Sequence, residues 1–158
     1  MSTETIPVAV TLETGPLAIL HFVTSDGGGI QREGTDEEIQ VEIARAPWLA
    51  RVVSWRRLDA RDIPDDRTFR DAWADRGGGP VGVDMPRARE IQMARIRARR
   101  DAELVALDGQ QLQHLGRGRG PDVAAIEAQK QVLRDLPATV QPAVDTAATP
   151  EALVLIGL

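Results

Sequence analysis

The chain predicts an α+β fold: a small N-terminal ββαβ unit followed by a C-terminal helical hairpin. Three observations carry this. Apolar, β-rich runs are confined to the first sixty residues. A Pro/Gly-rich stretch follows, and after it apolar residues recur at helical rather than alternating spacing. The chain, at 158 residues, has room for one ordinary core or two small ones.

Val8 to Leu12 and Leu17 to Val23 are two such runs, separated by Gly15-Pro16, which predicts a hairpin. Ser25 to Gly29 (SDGGG) reads as a turn, because three glycines accept either sign of φ. Thr35-Asp36-Glu37-Glu38 is a capping box, with Thr35 as N-cap and Glu38 at N3. The short helix it starts places Ile39 and Ile43 on one face and ends at Pro47. Val52, Val53 and Trp55 belong to a third strand over 50–58, with Trp55 in the core.

Residues 61–84 read as a connector. Gly77-Gly78-Gly79-Pro80 cannot lie inside a helix and marks a hinge or hairpin loop. Phe69 and Trp73 are four apart and share a face if this segment is helical; they anchor the connector or form a hot spot for another subunit. Asp84 is an N-cap for a long helix, with Pro86 in its first turn. That helix runs to Leu115, about 45 Å at 1.5 Å per residue. Ala88, Ile91, Ala98, Ala102 and Val105 form one broken stripe, with Arg95 in the missing slot. Leu104, Leu107, Leu112 and Leu115 form a stronger one.

GRGRGPD at Gly116 to Asp122 stops the helix, and Pro121 and Asp122 start another with Val123, Ile126, Leu133 and Leu136 inward. The two arms make an αα-hairpin over 85–137. The shorter arm is expected to cover the leucine-rich half of the longer, leaving Arg87 to Arg100 open. Ala138 to Ala148 reads as an extended linker, and Thr149-Pro150-Glu151 caps a short apolar tail that docks, completing a segment 138–158.

Composition sets the functional frame. Apolar content of 42% and a mean hydropathy of −0.22 fit a soluble globular chain. No apolar run is long enough for a bilayer span, and no secretory leader is visible. Cysteine is absent, which removes disulfides and thiolate metal sites. Charge is uneven: residues 1–84 carry nine Arg against fifteen acids, whereas Arg87 to Arg100 holds six Arg and one Glu. A sequence pI near 5.1 argues against a dedicated nucleic-acid binder. The 18 Arg beside a single Lys, with no Asn and no Tyr, point to a GC-rich genome more than to a binding task.

No catalytic, cofactor or metal constellation can be assembled. His21 and His114 are far apart and read as structural. Asp65, Asp66, Asp71 and Asp75 are interleaved with arginines and lack the glycine and bidentate glutamate of a calcium loop, so they read as caps and salt bridges. GRGRG follows a helix and lacks the Lys-Ser/Thr of a P-loop, so it reads as a turn.

One combination of words is more specific. DIPDDRTFRDAW at Asp62 to Trp73, then VDMPRAREI at Val83 to Ile91, then a helix closing on LVALD resembles the small tail-fibre assembly proteins, or tail-assembly chaperones, of tailed bacteriophages. LRDLP at Leu133 and TPEAL at Thr149 continue it, over roughly the C-terminal two-thirds. The N-terminal β-containing unit exceeds what the resemblance requires, and the C-terminus lacks the Lys and Trp expected of such proteins. The resemblance implies a non-enzymatic role at the fibre or tail tip, acting on other tail or fibre proteins as a structural subunit or assembly factor. It further implies host cytoplasm during assembly, and the virion tail for a structural subunit. A homo-oligomer is expected, and a trimer would suit a fibre. The partner-binding candidates are Phe69, Trp73, Arg95, Arg97, Arg99, Arg100, Leu153 and Leu155. Alternatives are a capsid or tail decoration subunit, and a nucleic-acid-binding regulator through Arg87 to Arg100.

Overall fold

A computed structural model describes residues 5–23, 34–47, 49 and 51–157, so the Ser25–Gly29 turn expected above lies outside the described residues. The fold is α+β, a small antiparallel sheet followed by long helices. The chain divides into two compact units, Met1–Asp84 and Met85–Leu158.

The first unit is built on β1 (Thr5–Leu12), β2 (Ala18–Val23) and β3 (Val52–Arg57), antiparallel in the order β2-β1-β3. Helix α1 (Asp36–Arg45) starts on the expected capping box: Thr35 Oγ1 accepts from Glu38 N, and Glu38 Oε2 accepts from Thr35 N at 2.9 Å. Strand alternation divides β1 between two faces. Val8 and Val10 pack with Ile39, Ile43 and Leu49, and Trp55 lies against this cluster. Ala9 points to the other face, into a cluster with Leu17, Leu58, Trp73 and Val81.

That second cluster corrects the connector reading. Residues 61–84 belong to the first unit. They supply a hairpin of β4 (Trp73–Ala74) and β5 (Gly82–Val83), with the glycine triplet as its loop. Gly77 and Gly79 have φ of +82° and +69°, which a side chain would strain. Arg56, paired with Ala9 in register, donates through Nε to both Asp75 oxygens at 2.8 and 2.9 Å and through Nη2 to Gly79 O at 2.7 Å. Val81 N donates to Asp62 O, and Asp84 N to Ala72 O, both at 2.8 Å. The segment is a covering layer, held by a guanidinium fork and backbone bonds.

In the second unit, α2 (Met85–Gly116) and α3 (Gly120–Thr146) form the expected hairpin, with a short α4 (Pro150–Val154) on α2. His114 Nδ1 lies 3.0 Å from Asp122 Oδ2 across the turn. The expected linker at Ala138–Ala148 is instead largely helix, since α3 continues through Pro137 and Pro142. Each interior proline removes a backbone donor and crowds the carbonyl four residues back. Packing outweighs that penalty. Buried or half-buried residues recur along α3 at Val123, Ile126, Lys130, Leu133, Pro137, Val140 and Val144, alternately three and four apart, the spacing that keeps one face against a partner helix. Thr149 caps α4 by accepting from Ala152 N. Gly157, at φ +79°, lies so close to Ile96 that an added Cβ would stand 2.8 Å from its Cγ1.

Candidate interaction surface

The arginine-rich first half of α2 is covered on its inner face. Ala88, Gln92, Met93 and Ile96 are buried. Arg89 Nη2 donates to Ala147 O at 2.9 Å, and Gln92 Nε2 donates to Ile156 O at 2.8 Å. These two bonds tie the end of α3 and the segment after α4 to the start of α2. The expected open basic half-helix is therefore open only on its outer side. Arg99 Nε donates to Glu103 Oε1 at 2.9 Å, and Arg100 Nη2 to Asp101 Oδ1 at 2.7 Å. Arg95 and Arg97 are exposed. Exposed pairs of this kind contribute little to stability.

The leucine-rich second half shows the reverse. It packs against α3, and Val105 and Leu112 are each 70% exposed, with Leu115 also exposed and Val132 exposed on α3. On another side of α2 an open groove of about 470 Å³ runs between α2 and α3, lined by Glu103, Ala106, Leu107, Gln110, Val132 and Leu133. The expectation that α3 would shelter the leucines holds for Leu104 and Leu107, which are half-buried, and not for Leu112 and Leu115, because one helix covers only a stripe of another.

A polar clasp interrupts the apolar stripe of α3. Lys130, the chain's one lysine, is 3% exposed. Its Nζ meets Asp108 Oδ1 at 2.5 Å and donates to Gln111 Oε1. Sequence reasoning missed it, although a lone Lys seven residues from Val123 and four from Ile126 was the available signal. A charge on the inward stripe requires partners on the facing helix.

The other candidates separate. Phe69 and Trp73 are 2% and 5% exposed. They do not share a helical face: Phe69 precedes a single 3₁₀ turn, Arg70–Ala72, and Trp73 begins β4. Neither offers a free surface. Leu153 is likewise buried, whereas Leu155 is exposed.

Of the acidic residues in this stretch Asp66 acts locally, whereas Asp75 holds Arg56 of β3. Thr68 donates to Asp66 and holds its carboxyl below the usual range. Among the described residues no group of three His, Cys, Asp or Glu is placed to hold a metal, and no helix is long and apolar enough to cross a membrane. No family model, curated protein or solved structure matches the chain.

Proposed function

We propose that this chain works by protein–protein association in the fibre and tail-tip region of a tailed bacteriophage, as a structural subunit or a fibre assembly factor, without catalysis of its own. Two things support the reading. The words from Asp62 to Asp108 resemble tail-fibre assembly proteins. The observation that carries association is the apolar groove between α2 and α3, where Leu107, Val132 and Leu133 are left for another protein to cover. The groove is walled by Glu103, Gln110 and Gln129, the polar rim that accompanies an apolar contact.

The test is quantitative mass spectrometry of gradient-purified particles from the phage or induced prophage that encodes the chain. A fixed copy number makes it a subunit, and the symmetry of that number places it on fibre, tail tip or shell. Abundance in the lysate in complex with a fibre protein, with none in the particle, makes it an assembly factor. Absence from both particle and fibre complex sinks the reading. Val132→Glu should abolish incorporation or complex formation while leaving the circular dichroism unchanged.

A further inference from the structure

The hairpin of α2 and α3 is built unevenly along its length. At its base, Ala88, Gln92, Met93 and Ile96 of α2 and Val144 of α3 are buried, and Leu153 of α4 is buried beside α2. Past Ile96, α2 has no buried residue at all. Toward the tip the inward residues Leu104, Leu107, Val123 and Leu133 are only half-buried, and Ile126 and Lys130 alone are shut from solvent.

Polar bonds take the place of apolar contact there. Lys130 reaches Asp108 and Gln111, Gln111 Nε2 donates to Glu127 Oε2 at 3.4 Å, and His114 meets Asp122 across the turn. The three carboxylates are exposed, so water competes for each bond and screens it. At the base the bonds from Arg89 and Gln92 run instead to backbone carbonyls of the segments that cover α2.

Helix propensity points the same way. Gly109 lies within the tip part of α2, with open space where a Cβ would stand. It weakens the helix relative to alanine, and no close neighbour requires it.

We propose that residues 104–133 form a separate opening unit, in which the two arms part and lose their helical turns together while the base stays folded. Each arm of this unit is about a dozen residues long, a length at which a helix is marginal without a partner to pack on. When one arm lets go, the other therefore unwinds with it. Lys130 is the latch, because its bonds to Asp108 and Gln111 join the arms at the middle of the unit. The groove lined by Leu107, Val132 and Leu133 lies inside this unit, so the surface assigned to association is on the part that opens most readily. That consequence rests on the proposed function; the opening itself does not.

Hydrogen exchange of the purified full-length chain at neutral pH, read by mass spectrometry without any partner, tests it. Peptides from 104–133 should exchange faster than those from 88–96 and 138–146, with similar protection in both arms. Gly109→Ala should slow exchange about fivefold in both arms of the tip, although the substituted residue lies in only one. Ile96→Val, in the base, should speed exchange there about fivefold and leave 104–133 unchanged, because the tip opens without disturbing Ile96. Even protection along the hairpin, a Gly109→Ala effect confined to α2, or an Ile96→Val effect that reaches the tip overturns the proposal. None of these outcomes bears on the composition of the particle, so the opening and the tail reading fail separately.

Discussion

The two halves of α2 differ in opposite senses in composition and in burial. The first half is dense in arginine, yet its inner face is closed by the end of α3, by α4 and by the segment after it. The second half is dense in leucine, yet beyond its contact with α3 it leaves Val105, Leu112 and Leu115 exposed. Burial along a helix is set by how many neighbours surround each turn. Arginine tolerates a covered position because its charge sits at the end of a long stem that reaches water. Alanine, methionine and isoleucine between the arginines supply the buried surface.

This contrast can be broken by making one substitution at both ends. All three tryptophans precede Met85, so tryptophan fluorescence reports the first unit, whereas the long helices of the second dominate the far-ultraviolet circular dichroism. Leu153→Ala, at a fully buried position, should destabilise the helical transition by about 2–5 kcal/mol in urea. Leu115→Ala, at an exposed one, should change it by no more than about 0.5 kcal/mol. Equal effects would mean that the two ends are equally covered. Neither variant should move the fluorescence transition.

The middle of the hairpin offers a sharper test, where Lys130 sits on the inward stripe. Asp108→Ala leaves that cation with Gln111 alone, and the helical transition should lose about 1–3 kcal/mol, less than a fully buried pair would cost because Asp108 is largely exposed. Lys130→Met removes the charge and continues the apolar stripe, so it should be neutral or slightly stabilising. A large loss from Lys130→Met would show the clasp to be a net source of stability and reverse the argument.

What was legible in the sequence was mostly short-range. The Thr35–Glu38 capping box, the Gly15-Pro16 hairpin and the GRGRG turn are each decided by residues within a few positions of one another. What was not legible depends on distant partners. Residues 61–84 look like a linker until Trp73 meets Ala9 and Leu58 and Arg56 reaches Asp75. Pro137 and Pro142 read locally as breakers, and only the facing helix makes their continuation favourable. Phe69 and Trp73 would share a face only if their segment were helical. Backbone bonds around Ala72 and Asp84 put them in a turn and a strand instead.

The smallest effect concerns Glu127, on the outward side of the same clasp. Arg134 Nη1 donates to its Oε1 at 2.7 Å. That bond is the main cause holding the carboxyl below its ordinary value of 4.5, with the positive charges of Arg134 and Lys130 and a bond from Gln111 adding to it, against a partial desolvation. A carboxyl depressed in the folded state binds its proton more readily when unfolded, so its contribution is present above 4.5 and lost as pH falls through the lower folded value. The helical transition should therefore weaken as the solution is acidified below 4.5, and Glu127→Gln should make that decline shallower while changing little at neutral pH. Asp66 obeys the same sign in the first unit, through Thr68, so the fluorescence transition of Glu127→Gln should keep the parent's acid dependence. A mutant whose helical and fluorescence transitions shift together would show that the two units unfold as one. A helical acid slope unchanged by Glu127→Gln would mean that Arg134 does not hold this carboxylate in solution.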